Sequence, residues 1–122
     1  MPENAIYDGA EALRRLGGDK ELLAQVSALF VAESGGSCRA LQAALAAGDA
    51  QVLRREAHTV KSMLSTFSFE SGRHLAQRLE DLAASGRLDG AEALTGELLA
   101  AVMQLARALE QGAAAGAPKS AG

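Results

Sequence analysis

At 122 residues with 48% apolar but only 3% aromatic content, the chain is one domain whose core must be built from leucine, alanine and valine. A net charge of −3 carries no basic excess, which argues against nucleic acid as the main partner. There is no run of 18 or more apolar residues and no signal-peptide pattern, so the sequence reads as soluble, free of membrane contact and cytoplasmic. The single Cys38 cannot form an internal disulfide and reads as a small helical residue in a reducing compartment.

In chain order, residues 1–7 have little pattern and are expected to form a flexible N-terminus. Asp8 can cap a short helix carrying Ala12, Leu13 and Leu16, which Gly17-Gly18 would end. Asp19 caps a second helix with Glu21 in its first turn, and the apolar stripe there reads Leu22, Val26, Leu29 and Phe30. Gly35-Gly36 interrupts the composition. Leu41 and Leu45 nevertheless resume the stripe in phase, because the eleven residues from Phe30 to Leu41 are close to three whole turns. One long helix over 19–47 is predicted, with the glycines as the place for a kink. Gly48 turns the chain and Asp49 caps a helix over 50–66. Ser68 is expected to cap the next helix, whose stripe is Phe69, Gly72, Leu75 or Ala76, Leu79 and Leu82 or Ala83, closing at Gly86. Leu88-Asp89-Gly90 leads into the last helix, with Leu94, Leu98, Ala101, Val102, Leu105 and Leu109 inward. Residues 112–122 read as a disordered Ala/Gly tail. Residues 8–111 thus make an all-α, antiparallel four-helix bundle with a short additional N-terminal helix as a lid.

The chemistry concentrates in the helix over 50–66. Leu53, Ala57, Val60, Leu64 and Phe67 recur at steps of four and three, one buried stripe. That stripe is centred roughly 140° around the helix from His58, so the histidine faces solvent or a partner. Lys61, Ser62 and Ser65 follow at three, four and seven residues and share its face. An exposed imidazole therefore has one cation and two small side chains beside it. A neutral imidazole nitrogen is a competent nucleophile near neutral pH. The Lys61 charge helps keep a ring lone pair free and can pair with phosphoryl oxygens after transfer. Its small neighbours leave room for a second protein to bring in a reacting group.

Ala57-His58-Thr59-Val60-Lys61-Ser62 resembles the Ala-His-x-hydrophobic-Lys-Gly signature of histidine-containing phosphotransfer (HPt) domains, the relay modules of multistep two-component signalling. The likeness runs from about Ile6 to Glu110. Leu13 to Leu23 is similar to the opening segment of HPt domains at the end of hybrid sensor kinases, Leu45 to Asp49 to the lead-in to the histidine helix, and Leu79-Glu80 to the Leu-Glu of the following helix. The resemblance implies that His58 is a phosphoacceptor, receiving a phosphoryl group from a receiver-domain aspartate, as in a hybrid sensor histidine kinase, and passing it to a response-regulator aspartate. It implies a phosphocarrier rather than an enzyme, with no cofactor, metal or nucleotide site of its own, the receiver domain supplying magnesium. Lys61, with Ser62 and Ser65 beside it, would neighbour the phosphate. Glu80, by likeness to chemotaxis-kinase phosphotransfer domains, would hydrogen-bond the ring and fix its tautomer. Two residues depart from the pattern: Ser62 stands where the family has a glycine, and Ser68 replaces a glycine usual near the start of the next helix.

His74 shares no signature and reads as a surface residue, and Arg54, Arg55, Arg73 and Arg78 read as solvated charge able to rim a docking face. The alternative function is a scaffold of the same shape that binds a receiver or kinase domain without carrying phosphate. A metal-dependent bundle enzyme using His58, His74 and Glu80 is disfavoured. Helical metal bundles show Glu-x-x-His pairs on several helices, and only two histidines exist here, sixteen residues apart. No further exposed apolar stripe is apparent, so a monomer is favoured.

Overall fold

A computed structural model describes residues 7–121, with side chains in the last helix described as far as Gly112. Its described residues form α1 (Gly9–Arg15), α2 (Lys20–Ala47), α3 (Ala50–Thr66), α4 (Glu70–Ala84) and α5 (Ala91–Ala121). Local chemistry sets the boundaries. Asp8, Asp19 and Asp49 each accept a hydrogen bond from the backbone N–H three residues on, at 3.0, 3.0 and 3.1 Å, and so cap α1, α2 and α3.

The same three helices also end alike. The N–H groups of Gly18, Asp49 and Phe69 donate to the carbonyls of Leu13, Ala44 and Leu64 at 2.8, 3.0 and 3.1 Å. The residue before each, Gly17, Gly48 or Ser68, takes a left-handed conformation at φ of 73°, 66° and 53°. Ser68 therefore does not cap α4, as the sequence suggests; it terminates α3. Its hydroxyl accepts from Arg15 Nε at 3.0 Å, and Phe69 stands at the start of α4 with no side-chain cap bond.

Helices α2, α3, α4 and α5 form a closed ring of neighbours, each antiparallel to the next, with α1 against α2. The buried stripe of α3 is Leu53, Ala57, Val60 and Leu64, as its spacing predicts. It meets Gly72, Ala76, Leu79 and Ala83 of α4 and the apolar face of α5 from Leu94 to Leu109. Phe67 anchors the lid end, its ring 5.6 Å from that of Phe30 and 6.2 Å from that of Tyr7, while the Asp8 N–H donates to the Phe67 carbonyl at 3.2 Å. Tyr7 is thus packed rather than part of a flexible N-terminus; residues 1–6 lie outside the described residues.

One further expectation is corrected. In α2, Leu22 and Leu29 are 37% and 56% exposed, whereas Leu23, Val26 and Phe30 turn inward. Leu29 lies about 100° around the helix from Phe30, whose direction Leu41 shares, and Leu23, seven residues before Phe30, takes the inward place. The helix runs unbroken through Gly35 and Gly36. At the other end of the chain α5 extends to Ala121, and the side chains of residues 113–122, within the stretch read as a disordered tail, lie outside the described residues. With 28 and 31 residues, α2 and α5 are about 42 and 46 Å long. The 17 and 15 residues of α3 and α4 span only about 25 and 22 Å. The shorter pair carries the chemistry.

Candidate functional site

His58 projects from the middle of α3, opposite the buried stripe, with its side chain 58% exposed. Its Nδ1 lies 3.0 Å from Glu80 Oε2 on α4. An ionised carboxylate only accepts, so in the neutral ring Nδ1 carries the proton and Nε2 keeps its lone pair on the open side. Glu80 is itself only 15% exposed, and its other oxygen, Oε1, lies 2.8 Å from Lys61 Nζ. That contact is an ion pair too skewed to satisfy Oε1 as an aligned hydrogen bond. Contact with Lys61, foremost, and the His58 ring hold the Glu80 carboxyl below the usual carboxylate range, against the opposing effect of burial.

The polar chain goes further than the sequence suggests. Lys61 Nζ donates to Gln77 Oε1 at 3.0 Å, and Gln77 Nε2 donates to Asp81 Oδ1 at 2.8 Å. Gln77 is three residues before Glu80 and Asp81 four after Gln77, the spacing of one helical face. That periodicity on α4 is the signal that could have singled out Gln77. Of the residues expected beside His58, Lys61 is held toward α4 and is only 20% exposed. Ser62 donates to the His58 carbonyl at 3.2 Å, so its hydroxyl is engaged by its own helix and its side chain mainly occupies space. Ser65 is half-buried and joins none of these bonds. Gln51, Arg54 and Arg55 line a shallow depression with His58 and Glu80; Arg73 is paired with Glu70 at 3.1 Å. His74 is exposed on α4 and takes no part in the chain. Among the described residues, no group of three or more His, Cys, Asp and Glu side chains is arranged to hold a metal.

The arrangement therefore offers one open ring nitrogen, a carboxylate that fixes the ring from behind and a cation one step away. It is a nucleophile prepared for a reacting group delivered by another molecule.

Comparison with known proteins agrees with this geometry. The Hpt domain family matches residues 25–120. The fold is similar to the crystal structure of histidine-containing phosphotransfer protein B (HptB) from Pseudomonas aeruginosa PAO1, with a TM-score of 0.80 and 27% identity over 88% of this chain and 94% of that one. It is similar also to the HPT domain of a sensor hybrid histidine kinase from Shewanella, with a TM-score of 0.78 and 15% identity over 87% of this chain and 92% of that one, a likeness of fold. No curated protein matches the chain. Matched over most of its length and folded as these domains fold, the chain belongs to the Hpt domain family, the phosphocarrier modules that receive and pass on phosphoryl groups in two-component phosphorelays.

Proposed function

We propose that His58 is the phosphoacceptor and that Nε2 is the atom that carries the phosphoryl group. The Nε2 lone pair attacks phosphorus of an aspartyl phosphate on a receiver domain. The bond from phosphorus to the aspartate oxygen breaks, and its electron pair leaves with the carboxylate. The ring, with Nε2 phosphorylated and Nδ1 still protonated, bears a positive charge that the Glu80 carboxylate at 3.0 Å offsets. The reverse of this step, on a response-regulator aspartate, passes the group onward. The observation that carries the reading is the Nδ1 contact with Glu80, because in the neutral ring it places the proton on Nδ1 and the lone pair on the exposed Nε2.

In this reading Lys61 is the cation nearest the phosphoryl oxygens, and the receiver contributes the divalent ion and the in-line geometry. The carrier needs neither a nucleotide site nor a cofactor. It acts as a monomer in the cytoplasm, since one copy holds every residue of the site, and Ser65 serves to keep the approach open. Among the described residues no helix is long and apolar enough to cross a membrane.

The test is transfer of label from a phosphorylated receiver domain to the wild type and to His58→Gln. Label on the wild type alone, lost in acid and kept in base, is the expected outcome. Equal labelling of both proteins would overturn the assignment. No labelling with any of several receivers would favour a scaffold that binds a receiver or kinase without carrying phosphate.

A further inference from the structure

Gln77 lies at the junction of the polar chain behind His58. Lys61 makes its aligned hydrogen bond to Gln77 Oε1, at 3.0 Å, whereas its contact with Glu80 Oε1 at 2.8 Å is skewed. The amide is itself oriented. Asp81 can only accept, so the 2.8 Å bond to Gln77 Nε2 turns Oε1 toward Lys61. A fixed amide oxygen is a directional acceptor. A charge pair on a flexible four-carbon stem is not, because the ammonium can swing into water with little loss.

We propose that Gln77 is a positioning residue for the phosphotransfer site: it anchors Lys61 beside Glu80 and so steadies the carboxylate that orients His58. The inference rests on His58 as the phosphoacceptor. A neutral amide suits the place, because it directs the lysine without adding charge. Glutamate there would be a further carboxylate beside Glu80 and Asp81 and would divide Lys61 between them. The charged groups around the ring are Arg54, Arg55 and Lys61 on α3 and Glu80 on α4, with Asp81 one link behind.

Gln77→Leu removes the acceptor at similar volume. Two measurements are made on it and on the parent protein: the titration of the Glu80 side-chain carboxyl carbon by 13C NMR, and phosphoryl transfer from a phosphorylated receiver. The Glu80 titration is expected to move upward, toward the ordinary carboxylate range. The maximal transfer rate is expected to fall about three- to tenfold, with the half-saturating receiver concentration unchanged. In a Lys61→Met background, Gln77→Leu should add nothing further, since the effect runs through the lysine. Superimposed titrations overturn the proposal, and so does a shifted titration with an unchanged maximal rate. If the parent takes no phosphate at all, the phosphoacceptor reading fails, while the titration still decides whether Gln77 governs Glu80. Thermal unfolding monitors the bundle, and Gln77→Met repeats the test should leucine disturb it.

Discussion

Glu80 shows how one contact can serve both the site and the stability of the fold. Its carboxyl is held below the usual range by Lys61 and His58, so the folded state favours the ionised form more than the unfolded chain does. The corresponding stabilisation is complete above the unfolded value, roughly pH 4.3, and is lost as pH falls through the lower native value. Urea unfolding of the wild type across this acid range should therefore lose stability more steeply than unfolding of Glu80→Gln, which has no proton to take up at that position. Parallel pH profiles would show that the contact contributes nothing to folding. Position 68 is a second case at the scale of one residue. A left-handed serine is strained by roughly 1 kcal/mol relative to glycine, and its exposed bond from Arg15 offsets only part of that. Ser68→Gly should raise stability by about 0.5–1 kcal/mol, seen as a higher urea midpoint at constant slope.

Between α3 and α4, glycine plays the opposite part. A Cβ on Gly72 would sit 3.0 Å from Leu64 Cδ1 and from two Phe69 ring carbons, and both neighbours are buried, at 0% and 2% exposure. Gly72→Ala gains about 1 kcal/mol of helix propensity but forces two packed side chains to move, which costs about 1–3 kcal/mol. A net loss of about 1 kcal/mol is expected, measured by thermal unfolding. An unchanged or higher midpoint would show that Leu64 and Phe69 yield easily. These elements also show how much the sequence discloses. The aspartate caps, the stripe of α3 and the outward face of His58 follow from periodicity and local hydrogen bonding, and the structure reproduces them. The outward turn of Leu22 and Leu29 does not, because which flank of α2 is covered depends on how far its neighbours reach. Gln77 shares a face with Glu80 and Asp81 in sequence, but a polar side chain on a half-buried face looks like solvated surface until a lysine from the preceding helix is placed against it. Ser68 is ambiguous in sequence because serine favours both helix starts and short turns, and the bond from the Phe69 N–H to the Leu64 carbonyl distinguishes them.

Across the whole molecule, the long helices α2 and α5 form one side of the ring and the shorter pair presents the reactive one. Arg54 and Arg55 border the His58 ring on that side. Replacing both with glutamate should raise the half-saturating receiver concentration about tenfold at low salt, with the difference shrinking toward about 0.5 M salt. Maximal transfer should change little. A salt-independent defect would place the arginines in the chemistry rather than in docking. The open nitrogen of His58 emerges on a single face, so a donor and an acceptor cannot reach it together. With His58 as the phosphoacceptor, partners take turns, and a surplus of spent donor is expected to slow delivery by occupying the acceptor's place.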